Sequence, residues 1–333
     1  MNWRKLIFRF FIISCLIATS CKSESPKIGF LLPNFVDERA TIERNFFVSK
    51  VKELGYEPIV TDAQFNDQLQ INQAKNLIKQ GVKMLIVMAV NKNTAAEIIR
   101  MAHKQSIKVI AYERIIANCD LDYYLSFDNV KVGELIANYV IKMKPKGKYI
   151  ILNGDKNDQN AIWVNEGISK VIGPLVKSGD VSIKYNSFIE DWSGDNAYME
   201  TKKYLNLSTE TPDAIISAYD GMSRGAIKAL EENESKYQPI ITGQNAELLS
   251  CKYIAKGKQS MTVYKPLKKE AELAAEIAIK YLRNEKIETN QKIYNGYKDV
   301  PSILIEPISV DIANIRNTVV KDGFLKETDI FAE

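Results

Sequence analysis

The sequence predicts an α/β fold built from two doubly wound lobes. Three observations carry that prediction. Short apolar strands alternate with longer amphipathic segments, the signature of parallel sheets covered on both faces. The alternation restarts near residue 123. Finally, "VKMLIVMAVNKNTAAEIIRMAHKQSIKVIAYER" and "PDAIISAYDGMSRGAIKALEENESKYQPIITGQN" both run strand, polar turn, alanine-containing helix, polar linker, strand, polar end. One supersecondary unit used twice argues for two similar lobes.

The elements follow in order. "KIGFLLP" reads as the first strand and Asp37 to Leu54 as a helix. "EPIVTDA" is the next strand, followed by a helix over Asp67 to Gln80. "KMLIVMAV" is a strand, Thr94 to Lys104 a helix, and "KVIAYE" a strand. "DYYLSFD" then leads into a helix from Asn129, and "KYIILNG", "VSIKYNSF", "DAIISAY" and "PIITGQN" are strands with helices between them. No proline- or serine-rich linker separates the lobes, so several short crossings should join them. "TVYKP" and "YKDVPS" read as late crossings, because each places proline after a strand-like or loop segment.

The 333 residues suit two ordinary domains, and 46% hydrophobic with 26% charged residues is a globular composition. The amino terminus stands apart. "MNWRK" is basic, "FFIISCLIA" is too short to span a bilayer, and small residues precede Cys21. This is the pattern of a secretory signal with a lipoprotein-type cleavage site, residues 1–20, followed by a tether at 21–26. The alternative is a retained N-terminal anchor, which Arg9 argues against by breaking the apolar run. A mature chain starting at a lipidated Cys21 would sit outside the cytoplasm. Removing Arg4, Lys5 and Arg9, with no acids, takes the net charge from +4 to +1. A nearly balanced chain has no electrostatic footprint for nucleic acid. Cys119 and Cys251 then remain, with no zinc spacing, and are expected as unpaired thiols in different lobes.

Ligands of open parallel sheets bind beyond the carboxyl ends of the strands. Here those ends carry "NFVDERA", Glu113 and Arg114, "DKNDQN", "DWSGDN", Asp220, Gln244 and Asn245, and Lys265. Carboxylates and amides bridge adjacent hydroxyls, arginine offers a fork of donors, and aromatic faces cover the C–H side of a sugar ring. The set suits a neutral polyol, against the plainer reading of a surface ion pair at Glu113 and Arg114. Catalytic readings are weaker. The one histidine, His103, lies within a helix. No nucleophile elbow, phosphate loop, dinucleotide fingerprint or metal spacing is present, so no cofactor and no metal are expected. Paired acids such as Asp155 and Asp158 on a polar loop more often bind or cap than hydrolyse glycosides.

"YLSFDNVKVGEL", "QSMTVYKP" and "GYKDVPSILIEPISVDIANI" resemble the periplasmic sugar-binding proteins of ABC transporters, type I periplasmic binding proteins, and among them those that bind D-xylose. The resemblance runs from "KIGF" to "TVVKDGF". It implies two Rossmann-like lobes on a three-stranded hinge, with 27–127 plus 265–299 forming the first lobe and 128–264 plus 300–333 the second. It also implies the sugar contacts. The family's Glu-Arg-Trp appears as Glu38-Arg39-Ala40, which keeps Arg39 and loses the tryptophan. Tyr-Asp-Arg appears as Tyr112-Glu113-Arg114, and Asp-Asn-Asn as Asp158-Gln159-Asn160. Trp192 is the stacking tryptophan, and Lys265 the lysine of "VYK". Ser-Asn-Asp becomes Ala218-Tyr219-Asp220, and Gly-Gln-Asp becomes Gly243-Gln244-Asn245. The implied binding set is Arg39, Glu113, Arg114, Asp158, Asn160, Trp192, Tyr219, Asp220, Asn245 and Lys265. The departures at Ala40, Glu113, Tyr219 and Asn245 leave the sugar's identity open, because such pockets reject ligands that leave their polar groups unpaired.

The implied function is an extracytoplasmic lipoprotein, a monomer, that delivers D-xylose or a similar aldose to an ABC permease, without enzymatic turnover. A sugar sensor reporting to a histidine kinase or chemoreceptor would use the same closure. Transcriptional repressors share the bilobal fold, but they need a DNA-reading helix-turn-helix where this chain has a signal-like segment.

Overall fold

The computed structural model describes residues 25–36, 38–208, 210–233 and 238–332, so the proposed signal and Cys21 lie outside the described residues. The first lobe opens with β1 (Lys27–Leu32), α1 (Glu38–Glu53), β2 (Glu57–Asp62), α2 (Asp67–Lys79), β3 (Met84–Val87), α3 (Ala96–His103), β4 (Lys108–Tyr112) and β5 (Tyr123–Phe127). The chain then builds the second lobe. Its elements are α4 (Asn129–Met143), β6 (Gly147–Asn153), α5 (Gln159–Ser178), β7 (Val181–Phe188), α6 (Gly194–Leu207), β8 (Ala214–Ser217), α7 (Asp220–Glu232), β9 (Ile240–Ile241), α8 (Leu248–Ala255) and β10 (Met261–Tyr264). It returns for α9 (Leu267–Leu282), β11 (Gln291–Tyr294) and β12 (Asp299–Ile305), and crosses again into β13 (Ile308–Asp311) and α10 (Glu327–Ile330).

The first sheet has the order β11-β12-β5-β4-β3-β1-β2, the second β7-β6-β8-β9. Both are parallel except for β11, which runs antiparallel to β12. The strand burial follows from this topology. β3 is buried at every residue because helices cover both faces, whereas β7, on the edge, alternates buried and open positions. One core layer of the first lobe packs Leu77, Ile98 and Val109 on one face, and another packs Phe30, Phe47 and Ala274 on the other. Aspartates and asparagines placed just before helices cap them: Asn66 accepts from the Leu69 N–H, and Asp128 from the Lys131 N–H.

Three short segments join the lobes: Asp128 between β5 and α4, Lys265-Pro266 between β10 and α9, and Glu306-Pro307 between β12 and β13. This corrects one boundary. "YKDVPS" is no crossing, and residues 300–305 belong to the first lobe, because β12 pairs in parallel with β5 from Ser302 to Ile305. Pro301 fits there because it precedes the β5 ladder, where its missing N–H is not needed. Cys119 and Cys251 are buried free thiols, one in each lobe.

Candidate sugar-binding site

β4 is apolar up to Tyr112, and then the backbone turns sharply. Glu113 adopts φ 62°, a conformation that non-glycine residues rarely hold. Its surroundings enforce it. The Glu113 N–H bonds to Leu125 O at 2.8 Å, and its carbonyl accepts from Tyr124 Oη at 3.1 Å and Ser126 Oγ at 2.9 Å. The turn aims the carboxylate at the other lobe. Oε1 takes Arg39 Nη1 at 3.1 Å, and Oε2 takes Asn160 Nδ2 at 3.2 Å. The residue is only 6% exposed. A core strand therefore ends on an acid because that acid joins the two lobes.

Arg39 lies in the first turn of α1, where the helix dipole disfavours a cation. Acids from three elements hold it. Its Nε and Nη2 donate to Glu43 Oε1 at 3.0 and 2.9 Å, and Nη2 also reaches Glu270 Oε2 at 3.3 Å. The side chain keeps 25% exposure. Arg114 is less committed. Nη1 reaches Ala89 O at 3.4 Å, Nε stands 3.9 Å from Glu113, and the side chain is 40% exposed. Much of its fork remains open to a ligand. Lys265 is buried in the second crossing. Its Nζ donates to Asn129 Oδ1 at 3.2 Å and lies 5.8 Å from the Phe127 ring centroid. Burial lowers its pKa, against the pull of Glu113.

The second lobe supplies Asp158, Asn160 and Trp192. Asp158 caps α5 by accepting the Asn160 N–H at 2.9 Å, and its other oxygen accepts Trp192 Nε1 at 3.3 Å. Burial and Glu113 raise its pKa, and Arg114 opposes the rise. Asn160 Nδ2 also donates to the Glu113 carbonyl at 3.3 Å, while its Oδ1 is buried without a partner. Trp192 has φ 55° and lies tight over Gly154, where an added Cβ would meet ring carbons at 2.2 Å. Only glycine leaves room for the indole there. Tyr219 stands edge-on to Trp192, with ring centroids 6.3 Å apart at 88°. Its hydroxyl donates to Glu247 Oε1 at 2.5 Å, and Arg224 holds Glu247 Oε2 at 2.6 Å. Tyr219 thus offers ring surface, its hydroxyl being engaged.

Three further positions complete the comparison with the sequence reading. Asp220 is fully buried within its own lobe. Its oxygens accept from Gln259 Nε2 and the Glu247 N–H at 2.9 Å and from Thr262 Oγ1 at 2.9 and 3.0 Å. It shapes the loop carrying Glu247. Burial and Glu247 push its pKa up to about 7, against those donors. Ala40 is 4% exposed, so the lost tryptophan leaves a covered methyl. Asn245 is half-buried at φ 97°, its N–H bonded to Val263 O at 2.8 Å.

Sequence reasoning missed Glu43 and Glu270, both fully buried behind Arg39. Each carried a signal. Glu43 falls on the apolar stripe Ala40-Phe47-Val51 of α1, and Glu270 on the stripe Leu267-Ala271-Ala274-Ala278 of α9. An acid on a core stripe implies a buried partner. Together the charges set Glu113's state: burial pushes its carboxyl up, but Arg39, Lys265 and Arg114 bring it below its ordinary value.

A periplasmic binding protein domain matches residues 28–286. The chain is 38% identical to the D-xylose-binding periplasmic protein of Haemophilus influenzae over 316 residues, 95% of each chain. It is 30% identical to a multiple sugar-binding periplasmic receptor of Rhizobium radiobacter, over 94% of this chain and 95% of that one. An ABC transporter solute binding protein from Clostridium phytofermentans, solved with bound β-D-glucose, superposes with a TM-score of 0.85 at 26% identity, covering 91% of this chain and 99% of that one. Two parallel-sheet lobes on three crossings, with a polar and aromatic seam between them, place this chain in the periplasmic binding protein family, among the sugar-binding proteins of ABC transporters.

Proposed function

We propose that this protein binds one aldose, D-xylose or a close analogue, as a pyranose between its lobes and delivers it to an ABC permease. The observation that carries the reading is the divided Glu113 carboxylate, with Arg39 of the first lobe on one oxygen and Asn160 of the second on the other. Both neighbours also border the seam where Arg114 keeps unused donors. A sugar hydroxyl both donates and accepts, so it can insert into such a set and be satisfied at each step. Trp192 supplies the apolar face, with Tyr219 standing against it as a wall. Closure then follows from ligand contacts shared by both lobes, since a ligand shifts an equilibrium only by its differential affinity. Lys265 lies in a crossing, where its bond to Asn129 ties the second crossing to the start of α4.

Delivery to a permease and lipid attachment at Cys21 complete the proposal, the latter supported by the small residues before that cysteine. D-xylose is favoured by the xylose-binding relatives at 38% and 36% identity. Calorimetric titration against a panel of pentoses and hexoses tests the reading. Saturable, one-to-one, reversible binding of D-xylose or another aldose, with the sugar recovered unchanged, is expected. Absence of binding by every aldose overturns it. Loss of membrane association in Cys21→Ser, seen by fractionation, tests the anchor.

A further inference from the structure

Glu43 and Glu270 lie where no ligand can reach, yet both bear on the arginine of the site. Both converge on one nitrogen, Arg39 Nη2, at 2.9 and 3.3 Å. Each leaves its second oxygen, Glu43 Oε2 and Glu270 Oε1, buried with no hydrogen-bond partner. A buried anionic oxygen without a donor is costly, and two carboxylates on one site cannot both ionise easily. The charged and titratable groups that act on them most strongly come from three stretches of chain. Arg39 comes from α1, Tyr112 and Glu113 from β4, and Lys265 from the crossing before α9. Of these, Tyr112 Oη donates to Glu43 Oε1 at 3.1 Å, the oxygen Arg39 already holds, so both orphan oxygens stay unserved.

Charge balance points the same way. Around the seam, Arg39, Arg114 and Lys265 face Glu43, Glu113, Glu270 and Asp158. Three cations face four carboxyls, so the cluster carries an excess negative charge unless a carboxyl keeps a proton. Asp158 has hydrogen-bond donors on both oxygens, and Glu113 has Arg39 and Asn160. The orphan oxygens belong to the other two. We propose that Glu43 and Glu270 share a single proton and act as positioning residues that hold Arg39 toward Glu113 and the sugar. The link to sugar rests on the function proposed above; the shared proton does not.

The consequence for pH has a definite sign. Burial raises both carboxyls above their ordinary range, against Arg39. As pH rises through the pair's titration, the shared proton is lost and a second buried anion competes for the guanidinium. Affinity for D-xylose should then weaken, with Kd rising by up to about tenfold per pH unit, the limit for one linked proton. In Glu270→Gln an amide replaces the shared proton. In that variant Kd should stay level over the range where the parent's rises. A purely space-filling Glu270 would leave the pH profile unmoved.

Infrared spectroscopy of the whole protein tests the proton without any sugar. A protonated-carboxyl C=O band is expected in the parent at neutral pH. That band should disappear in Glu43→Gln and equally in Glu270→Gln, since either substitution removes the need for the proton. Any band from Asp220 should persist in both. Absence of the band from the folded parent, or its survival in both variants, overturns the proposal. If D-xylose fails to bind, the sugar reading fails while the infrared result still decides the pair; should one variant not fold, the spectrum of the other, set against the persisting Asp220 band, decides it.

Discussion

The two lobes bury carboxylates in opposite ways. In the first lobe Glu43, Glu113 and Glu270 gather around one guanidinium, and Glu113 is held ionised. In the second lobe Asp220 has no ion-pair partner among the described residues and rests on an amide, a hydroxyl and a backbone N–H, with its pKa pushed up to about 7. The difference follows from position. The first cluster borders the seam, where fixed charge orients hydroxyls, whereas Asp220 lies behind the wall that carries Glu247 and Tyr219. In the binding mode proposed above, charge is concentrated on one side of the ligand and aromatic surface on the other. A sugar ring has the matching asymmetry, with hydroxyl edges and C–H faces.

The largest effect should come from breaking the first cluster. Arg39→Met leaves three buried carboxyl groups, two of them ionised, without their cation, and should cost about 3–5 kcal/mol of stability in denaturant unfolding, together with sugar binding. A cost near zero would mean that the acids are already neutral. Next comes the cation-free carboxylate. Its folded pKa lies above the ordinary value, so the native state keeps a proton that the unfolded chain has released. Its contribution to stability is therefore full below about pH 4 and is lost as pH rises through 7, by about 4 kcal/mol at most. Melting curves of the parent and Asp220→Asn between pH 5 and 8 should diverge, with the parent losing more stability; parallel curves would show Asp220 ionised throughout.

The aromatic side gives smaller effects. Trp192→Ala should weaken sugar binding by about 1–3 kcal/mol in calorimetry, the range for stacking on a flat ligand, with little change in melting temperature. The reverse pattern would make the indole a structural cover for Gly154. Smallest is Tyr219→Phe. The lost bond to Glu247 should cost about 1 kcal/mol of stability and leave affinity unchanged, because Arg224 still holds Glu247 and the ring remains. A clear loss of affinity would show that the hydroxyl leaves Glu247 for the sugar.

The contrast between lobes also explains what the sequence made legible. Strands such as "KMLIVMAV" stand out because burial on both faces forbids polar residues. Asp158 and Asn160 were placed by the family resemblance, and the polar loop before α5 fits it because a cap acts over a few residues of one segment. Glu113 announced itself as a charge ending an apolar run. Contacts made only by the fold were harder to read. Nothing local to α9 says that Glu270 meets Arg39, more than two hundred residues earlier in the chain. Asp220 was legible as a strand-tip residue because position along the strand was visible, but its depth was not. β12 was misassigned because Pro301 reads as a break unless the neighbouring strand is known.

The most direct measurement is the crystal structure of the complex with D-xylose. One pyranose is expected in the seam, its C–H face on Trp192 and its hydroxyls bonded to Arg39, Glu113, Arg114 and Asn160, with Glu43, Glu270 and Asp220 untouched. A sugar bound outside the seam, or one held chiefly by the second lobe with Arg39 and Glu113 still paired and uninvolved, would contradict that division of labour.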